Sequence, residues 1–229
     1  KLETQKMDKD YIVVPVPDTA KAAGDAFAFE LGIPSREGLI RNRHVGRTFI
    51  ESGKREEKIK DKFTVLREVV EGKKILLVDD SVVRGNTTKA IVKYLKEEGG
   101  AKEVHVRVAC PPIRFPCFYG IDMSTVRELL VPEFVDPKFK GDLSQDVLTK
   151  IAKDLGADSL IYMTLPLLVQ AIGLPSKDLC MACLNGEYPT PWGQKLCKIA
   201  IEHHHEGKQC TSCRTHEMVE NPIYEDGEA

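Results

Sequence analysis

Apolar and polar positions change along the chain in blocks that predict strands and helices in turn. Short apolar runs rich in β-branched residues predict buried strands at 11–16, 73–78, 104–109 and 159–163, with a further short strand within 38–50. Amphipathic or alanine-rich stretches predict helices at 20–31, 87–98, 124–130 and 144–155. Thr19 and Ser144 are predicted N-caps. This alternation predicts an α/β fold with a mostly parallel sheet, helices on both faces, and ligands beyond the carboxyl ends of the strands.

The alternation weakens beyond about residue 175, which predicts a division of the chain. Residues 1–175 are expected to form the main domain, and 176–202 a cysteine-containing segment with one more helix. Residues 203–229 are polar and end in acidic residues, so we expect a disordered tail. The lysine- and glutamate-rich stretch after Ile50 lacks an apolar face and predicts a mobile surface loop.

The composition narrows the classes of partner. A formal net charge of -2 provides no basic field to hold nucleic acid or an anionic membrane. No apolar run approaches the roughly 18 residues of a membrane span, and no signal segment opens the chain, so a cytoplasmic location is expected. Seven cysteines, an odd number, favour metal or cluster ligation over a disulfide scaffold. Because Lys1 is followed almost at once by a strand, we expect a fragment of a longer protein.

Two acids, a glycine and a helix start follow the strand at 73–78. Asp79 and Asp80 stand at the strand's carboxyl end, where they could accept hydrogen bonds from ribose hydroxyls or coordinate Mg²⁺. Gly85 allows the backbone to approach a phosphate closely. Hydroxyl groups beside the amides of the helix start come from Ser81, Thr87 and Thr88. This arrangement indicates a site for a phosphorylated ligand.

An isolated pair of acids more often ends a strand and caps a turn, so Asp79 and Asp80 alone do not indicate a binding site. The whole segment at 75–88 is more specific. It contains neither the Gly-x-x-x-x-Gly-Lys-Ser/Thr motif of a Walker loop nor the Gly-x-Gly-x-x-Gly motif of dinucleotide-binding proteins. It resembles the 5-phosphoribosyl 1-pyrophosphate (PRPP) motif of type I phosphoribosyltransferases. The resemblance implies the type I phosphoribosyltransferase fold.

Other segments of the sequence are similar to the glutamine PRPP amidotransferases, or amidophosphoribosyltransferases. These segments lie at 14–19, 38–50, 67–72, 111–122 and 180–190, and the resemblance runs from about Tyr11 to about Ile201. Orotate and hypoxanthine phosphoribosyltransferases share the PRPP motif but not these segments.

The resemblance implies the first committed step of purine biosynthesis. In that reaction ammonia released from glutamine displaces pyrophosphate from C1 of PRPP and leaves 5-phosphoribosylamine. Nothing in this chain resembles the family's glutaminase domain, so the chain as given is expected to use free ammonia. A homo-oligomer is also implied. Two alternatives remain open: a non-catalytic PRPP-binding regulator and a nucleobase salvage phosphoribosyltransferase.

The resemblance also implies roles for particular residues. The family's magnesium site falls on Thr19, Asp79 and Asp80. Its 5-phosphate loop falls on Ser81, Arg84, Gly85, Asn86, Thr87 and Thr88. Its flexible segment, which closes over PRPP, carries Arg41, Arg43 and Arg47, whose guanidinium groups could contact pyrophosphate. Asp79, Asp80 and Arg47 are expected to be catalytic; the alternative for the arginines is a solvated loop.

Three cysteines coincide with ligands in the branch of the family that carries a 4Fe-4S cluster. Cys117, Cys180 and Cys183 match three of its four ligands, and the fourth belongs to a region upstream of Tyr11. Plain reduced thiols are one alternative. The other is a zinc site using Cys210 and Cys213, near three consecutive histidines at 203–205.

Overall fold

The computed structural model describes residues 2–42, 61–139 and 141–206. The chain divides into two compact units. The first comprises 1–112 and 141–173, and the second comprises 113–140 and 174–229. This division differs from the predicted main domain at 1–175, because residues 113–140 belong with the C-terminal part of the chain.

The first unit is built around a parallel sheet. Its elements in chain order are β1 (Tyr11–Pro15), α1 (Lys21–Leu31), β2 (Leu39–Arg41), β3 (Phe63–Val65), α2 (Arg67–Val70), β4 (Lys74–Asp79), α3 (Asn86–Glu97), β5 (Glu103–Val108), α4 (Gln145–Asp154), β6 (Ser159–Tyr162) and α5 (Leu165–Ile172). Strands β1, β4, β5 and β6 hydrogen-bond side by side in that order, all parallel. Strands β2 and β3 form a separate antiparallel pair.

Both faces of the parallel sheet are buried, as the apolar runs of its strands predict. On one face, Val13 of β1 and Leu76 of β4 pack in a cluster with Ala28 of α1. Their neighbours along the strands, Val14 and Leu77, point to the opposite face and are also fully buried. The predicted α/β architecture with a mostly parallel sheet is therefore confirmed.

Three elements of the first unit, β3, α2 and α5, escaped the sequence pattern. Helix α2 spans only four residues. Strand β3 is only three residues long, and it follows the lysine-rich stretch that obscures any period-2 alternation. Helix α5 is apolar along nearly its whole length, and none of its residues is buried. Its sequence therefore lacks the polar face that marks an amphipathic helix.

The described part of the second unit consists of 3₁₀ turns and two α-helices, one of them short. Single 3₁₀ turns occupy Val126–Glu128, Val131–Glu133 and Ser176–Asp178, and α-helices occupy α6 (Ala182–Asn185) and α7 (Pro191–His205). The helix predicted at 124–130 is thus only a 3₁₀ turn. The core of this unit joins Phe115 and Tyr188 to Cys197 of α7, and the Tyr188 hydroxyl donates to the Pro116 carbonyl oxygen at 2.6 Å.

The described residues bear on two further predictions. Helix α7 continues through His205, so the predicted tail does not begin at residue 203, while residues 207–229 lie outside the described part of the chain. Among the described helices, none has both the length and the apolar character that crossing a membrane would require.

Candidate functional site

A cavity of about 450 Å³ opens in the first unit where β1 and β4 end. Because β1 and β4 are parallel neighbours, the loops that follow them meet at the same edge of the sheet. The lining residues come from the loop after β1, from β2 and the start of β3, and from the loop between β4 and α3. They are Val16, Pro17, Asp18, Thr19, Arg41, Lys62, Phe63, Asp79, Ser81, Val82, Val83, Arg84, Gly85, Asn86, Thr87 and Thr88.

An oxygen-rich cluster lies where the loops after β1 and β4 meet. Asp79 is the last residue of β4 and is 7% exposed, whereas Asp80 is exposed. The Thr19 hydroxyl donates to Asp80 Oδ1 at 2.8 Å, across 61 residues of sequence. Thr19 is therefore not the N-cap of α1 that the sequence suggested: Ala20 holds that position without a side-chain cap. The structure thus brings together the three residues predicted for magnesium.

The environment of Asp79 disfavours its charged form. The pKa of Asp79 is raised to about 7, mainly by burial and then by the hydrogen bond and the charge of Asp80. The backbone N–H of Asp80 donates to Asp79 Oδ1 at 3.0 Å, and this bond and a hydrogen bond with Thr88 lower the pKa only in part. A proton and a cation therefore compete for this carboxylate near neutral pH.

The loop between β4 and α3 provides the features of an anion site. Gly85 adopts a left-handed conformation, with φ of 73°, as the N-cap of the twelve-residue helix α3. Only glycine adopts this conformation without strain, and it turns the chain into the helix beside Thr88, which is buried. The side chains of Asn86 and Thr87 are exposed in the first turn. Backbone N–H groups and hydroxyls here can receive a phosphate.

Three cationic side chains line the cavity. Arg41 lies at the end of β2, with Nη1 3.6 Å from Asp18 Oδ2 of the loop after β1. Arg84 is exposed in the loop between β4 and α3. The third, Lys62, was not predicted, because β3 was not recognised and nothing in the sequence linked this lysine to the cavity. Arg43 and Arg47, predicted to contact pyrophosphate, lie outside the described residues.

The oxygen cluster suits a hard divalent cation. Mg²⁺ in proteins that bind phosphorylated substrates is held by one or two carboxylates, together with water and the substrate's own phosphates. Asp79, Asp80 and the Thr19 hydroxyl supply such a partial set. Within the described ranges, no three acidic, histidine or cysteine side chains are grouped to hold an ion without a ligand's help. The residues therefore fit a metal that arrives with a phosphorylated substrate.

The three cysteines predicted to bind a cluster all belong to the second unit. The pKa of the Cys183 thiol is raised to about 11, mainly by burial and to a smaller extent by Cys117 and Cys180. Cys180 is exposed, and Cys117 Sγ accepts a hydrogen bond from the Tyr119 N–H at 3.4 Å. Cys210 and Cys213 of the alternative zinc site lie outside the described residues.

Known proteins resemble both the sequence and the fold. Residues 2–114 match the family described as phosphoribosyl transferase domain. Amidophosphoribosyltransferases from Pyrococcus horikoshii and Methanothermobacter thermautotrophicus are 48% and 43% identical over 178 and 182 residues, which cover 78% and 79% of this chain. The matches cover 36% of each of those two proteins, so the chain spans about a third of the length of these relatives.

Solved structures agree with the sequence relatives. The glutamine PRPP amidotransferase from Bacillus subtilis, complexed with ADP and GMP, matches 82% of this chain and 39% of its own, with a TM-score of 0.65 and 39% identity. A structure described as the allosteric regulatory enzyme of purine biosynthesis matches 81% of this chain and 38% of its own, with a TM-score of 0.66 and 41% identity. The chain therefore belongs to the amidophosphoribosyltransferase family and includes that family's type I phosphoribosyltransferase domain.

Proposed function

We propose that this chain transfers the 5-phosphoribosyl group of PRPP to ammonia, which gives 5-phosphoribosylamine and pyrophosphate. The observation that carries the proposal is the hydrogen bond between Thr19 and Asp80, because Thr19 lines the same cavity as the buried Asp79 and as Gly85, the N-cap of α3. This combination provides oxygen ligands and an anion site within one cavity, as a sugar with phosphates at both ends requires.

The chemistry requires positioning rather than a protein nucleophile. The ammonia nitrogen forms a bond to C1 of the ribose while the bond from C1 to the pyrophosphate oxygen breaks, and the pyrophosphate leaves with that electron pair. The nitrogen then releases one proton to solvent, which leaves the neutral amine. Bound Mg²⁺ would neutralise charge on the departing pyrophosphate. Asp79, Asp80 and the Thr19 hydroxyl would hold that ion, and the carboxylates would stabilise the positive charge that develops on the ribose ring.

The loop between β4 and α3 would bind the 5-phosphate. Backbone N–H groups at the start of α3, the hydroxyls of Ser81 and Thr87, and the guanidinium of Arg84 can each donate to a phosphate oxygen. Fixing the phosphate fixes C1 relative to the carboxylates. Positioning of this kind lowers the barrier by removing the entropy loss from the reaction step.

The source of the nitrogen and the assembly state are parts of the same proposal. The relatives are more than twice as long as this chain, since 182 aligned residues cover 36% of one of them, so the whole protein would have room for a domain that takes ammonia from glutamine. We also propose a homo-oligomer, on the family resemblance alone.

Ligation of a 4Fe-4S cluster by Cys117, Cys180 and Cys183 stays a prediction. Iron and acid-labile sulfide in anaerobically purified protein would support it, and zinc that is lost from a variant without Cys210 and Cys213 would contradict it.

An assay with varied acceptors separates this reaction from the two alternatives. The chain is incubated with PRPP and Mg²⁺ at pH 8, with ammonium, with nucleobases, or with neither, and pyrophosphate is measured. Release that requires ammonium and is lost in the Asp79→Asn, Asp80→Asn double variant supports the proposal. Release only with a nucleobase would indicate a salvage enzyme, and PRPP binding without release under any condition would indicate a regulator.

A further inference from the structure

We propose that a groove on the sheet of the first unit binds an amphipathic helix formed by the residues that precede residue 1 in the whole protein. The groove has a volume of about 540 Å³ and lies between α1 and α5, so we call it the α1–α5 groove. The residues that define it are Val78, Arg107 and Ile161 of the sheet, Phe27 of α1, and Leu167 and Ala171 of α5. Its lining differs from that of the cavity at the ends of β1 and β4, so the inference is independent of the proposed reaction.

The floor of the α1–α5 groove is one face of the parallel sheet. Val78, Arg107 and Ile161 are cross-strand neighbours on β4, β5 and β6, so their side chains share that face. Val78 also belongs to the same buried cluster as Ala28, which places α1 on this face. Parallel sheets are normally covered on both faces, because their strands carry apolar side chains on both. A groove that opens onto the sheet therefore marks a place where this face lacks part of its cover.

The walls of the groove are also largely apolar. Ala26 and Phe27 line it from α1, and Leu167 and Ala171 line it from α5. Helix α5 is apolar along nearly its whole length, yet none of its residues is buried. A helix that is hydrophobic on all sides is normally enclosed by other elements. The groove therefore has the character of a surface that an apolar partner covers.

The N-terminal residues of the chain lead directly to this groove. Leu2, the first described residue, and Glu3 both line it. The Glu3 side chain is 5% exposed, and its carboxylate accepts a hydrogen bond from Arg107 Nε. Gln5 Oε1 accepts from Arg107 Nη2 at 3.3 Å, and Gln5 Nε2 donates to the Tyr11 hydroxyl at 2.7 Å. These bonds fix residues 2–5 on the sheet, so the polypeptide that precedes Leu2 starts at the groove.

The same ion pair prepares the floor for an apolar partner. The carboxylate of Glu3 offsets the charge of Arg107, so a helix that covers the floor does not have to bury an uncompensated guanidinium.

A helix is the conformation that suits this site. The floor is the face of a sheet and not its edge, so it offers no backbone groups to pair with an extended segment. An α-helix pairs its own N–H and C=O groups, and it presents apolar side chains at i, i+3, i+4 and i+7 to a groove.

The whole protein has the polypeptide to supply this helix. The aligned residues cover 36% of each of two relatives, so the family's proteins are more than twice as long as this chain. A segment attached at Leu2 is present at the groove at a high effective concentration, which favours it over a separate molecule.

Hydrogen exchange followed by mass spectrometry tests the proposal on two forms of the protein. One is the 229-residue chain. The other carries in addition about 15 of the residues that precede residue 1 in its gene, enough for one helix of ordinary length. The amides of α5 report on the groove. The amides of α3, which does not line the groove, are the internal reference.

Two matched substitutions are made in both forms. Ala171→Glu places a charge in the groove at an exposed position, so the 229-residue chain should still fold. Ala22→Glu is the control, because Ala22 is exposed on α1 and does not line the groove.

We expect the amides of α5 to exchange roughly tenfold or more slowly in the longer form than in the shorter one, because a covered helix opens less often. The amides of α3 should change little. Ala171→Glu should remove the protection of α5 in the longer form, and Ala22→Glu should leave it in place. Equal exchange of α5 in the two forms, or protection that survives Ala171→Glu, would overturn the proposal.

A second copy of the chain is the main alternative occupant of the groove. It would protect α5 in the 229-residue chain itself, and that protection would grow with protein concentration. Exchange is therefore measured at two concentrations about a hundredfold apart. Concentration-dependent protection that Ala171→Glu removes from the shorter form would overturn the proposal in favour of a dimer. Protection that is confined to the longer form and is independent of concentration would support the proposal.

Discussion

Replacement of Asp79 by asparagine should stabilise the protein at alkaline pH while it abolishes the transfer reaction. The buried carboxylate is poorly solvated in the ligand-free protein and lies beside Asp80, which is why its pKa is raised from 3.8 to about 7. Asparagine has nearly the same shape, and its carbonyl oxygen can still accept the hydrogen bond from the Asp80 N–H. The variant therefore removes the cost of burying the charge without creating a cavity.

The sign and size of the effect follow from the pKa shift. The pKa is higher in the folded protein than in the unfolded chain, so the folded protein binds more protons between pH 3.8 and about 7, and stability falls as the pH rises through this window. At about 1.4 kcal/mol for each unit of pKa, the full penalty is on the order of 4 kcal/mol. It should be below about 1 kcal/mol at pH 4 and nearly complete at pH 8.

Urea unfolding of the wild type and Asp79→Asn at several pH values measures this penalty. We expect the difference in free energy of unfolding to grow in favour of the variant between pH 4 and pH 8. Asp142→Asn is the matched control, because Asp142 is exposed and lies in the loop before α4. It should show no such trend. A difference between wild type and Asp79→Asn that is constant with pH, or that favours the wild type at pH 8, would refute the account of Asp79.

Three further tests probe other parts of the structure. Gly85→Ala forces a side chain into the left-handed region and should cost about 1 to 2 kcal/mol in urea unfolding, and it should also weaken ribose 5-phosphate binding in calorimetry. Gly173→Ala, at the left-handed end of α5, should show a similar stability loss with normal binding; loss of binding in both would contradict the phosphate role. Thr190→Ala removes the side-chain cap of α7 and should lower the free energy of unfolding by about 1 kcal/mol, which Thr190→Ser should restore. Glu3→Gln leaves the buried Arg107 guanidinium without its carboxylate and should cost about 3 to 5 kcal/mol, whereas a loss below about 1 kcal/mol would mean that the pair is solvated.

The parallel sheet could be predicted from the sequence because its strands are continuous apolar runs bounded by turn residues. The run at 73–78 became β4, with its end one residue later at Asp79, and the cap predicted at Ser144 receives the Val147 N–H at 3.4 Å. Strand β3 and helix α5 could not be predicted in this way. The first is too short to show a period, and the second lacks a polar face.

The candidate site could be predicted only where its residues are contiguous. The motif at 75–88 placed two carboxylates and a helix start together, and family resemblance added Thr19, whose hydroxyl bonds to Asp80. Local reasoning alone assigned Thr19 to a helix cap, because its hydrogen bond to Asp80 spans 61 residues of sequence. Lys62 was missed for a related reason: its place beside the cavity follows from the pairing of β2 with β3, and a side chain's cross-strand neighbours cannot be read from its own segment.

The most direct test of the central claim is to follow PRPP by ³¹P nuclear magnetic resonance, with Mg²⁺ and the chain present, before and after ammonium is added. The account predicts that the diphosphate signals of PRPP are replaced by those of free pyrophosphate and that a new phosphomonoester signal appears, both only once ammonium is present. PRPP signals that do not change, or pyrophosphate that appears at the same rate without ammonium, would contradict it.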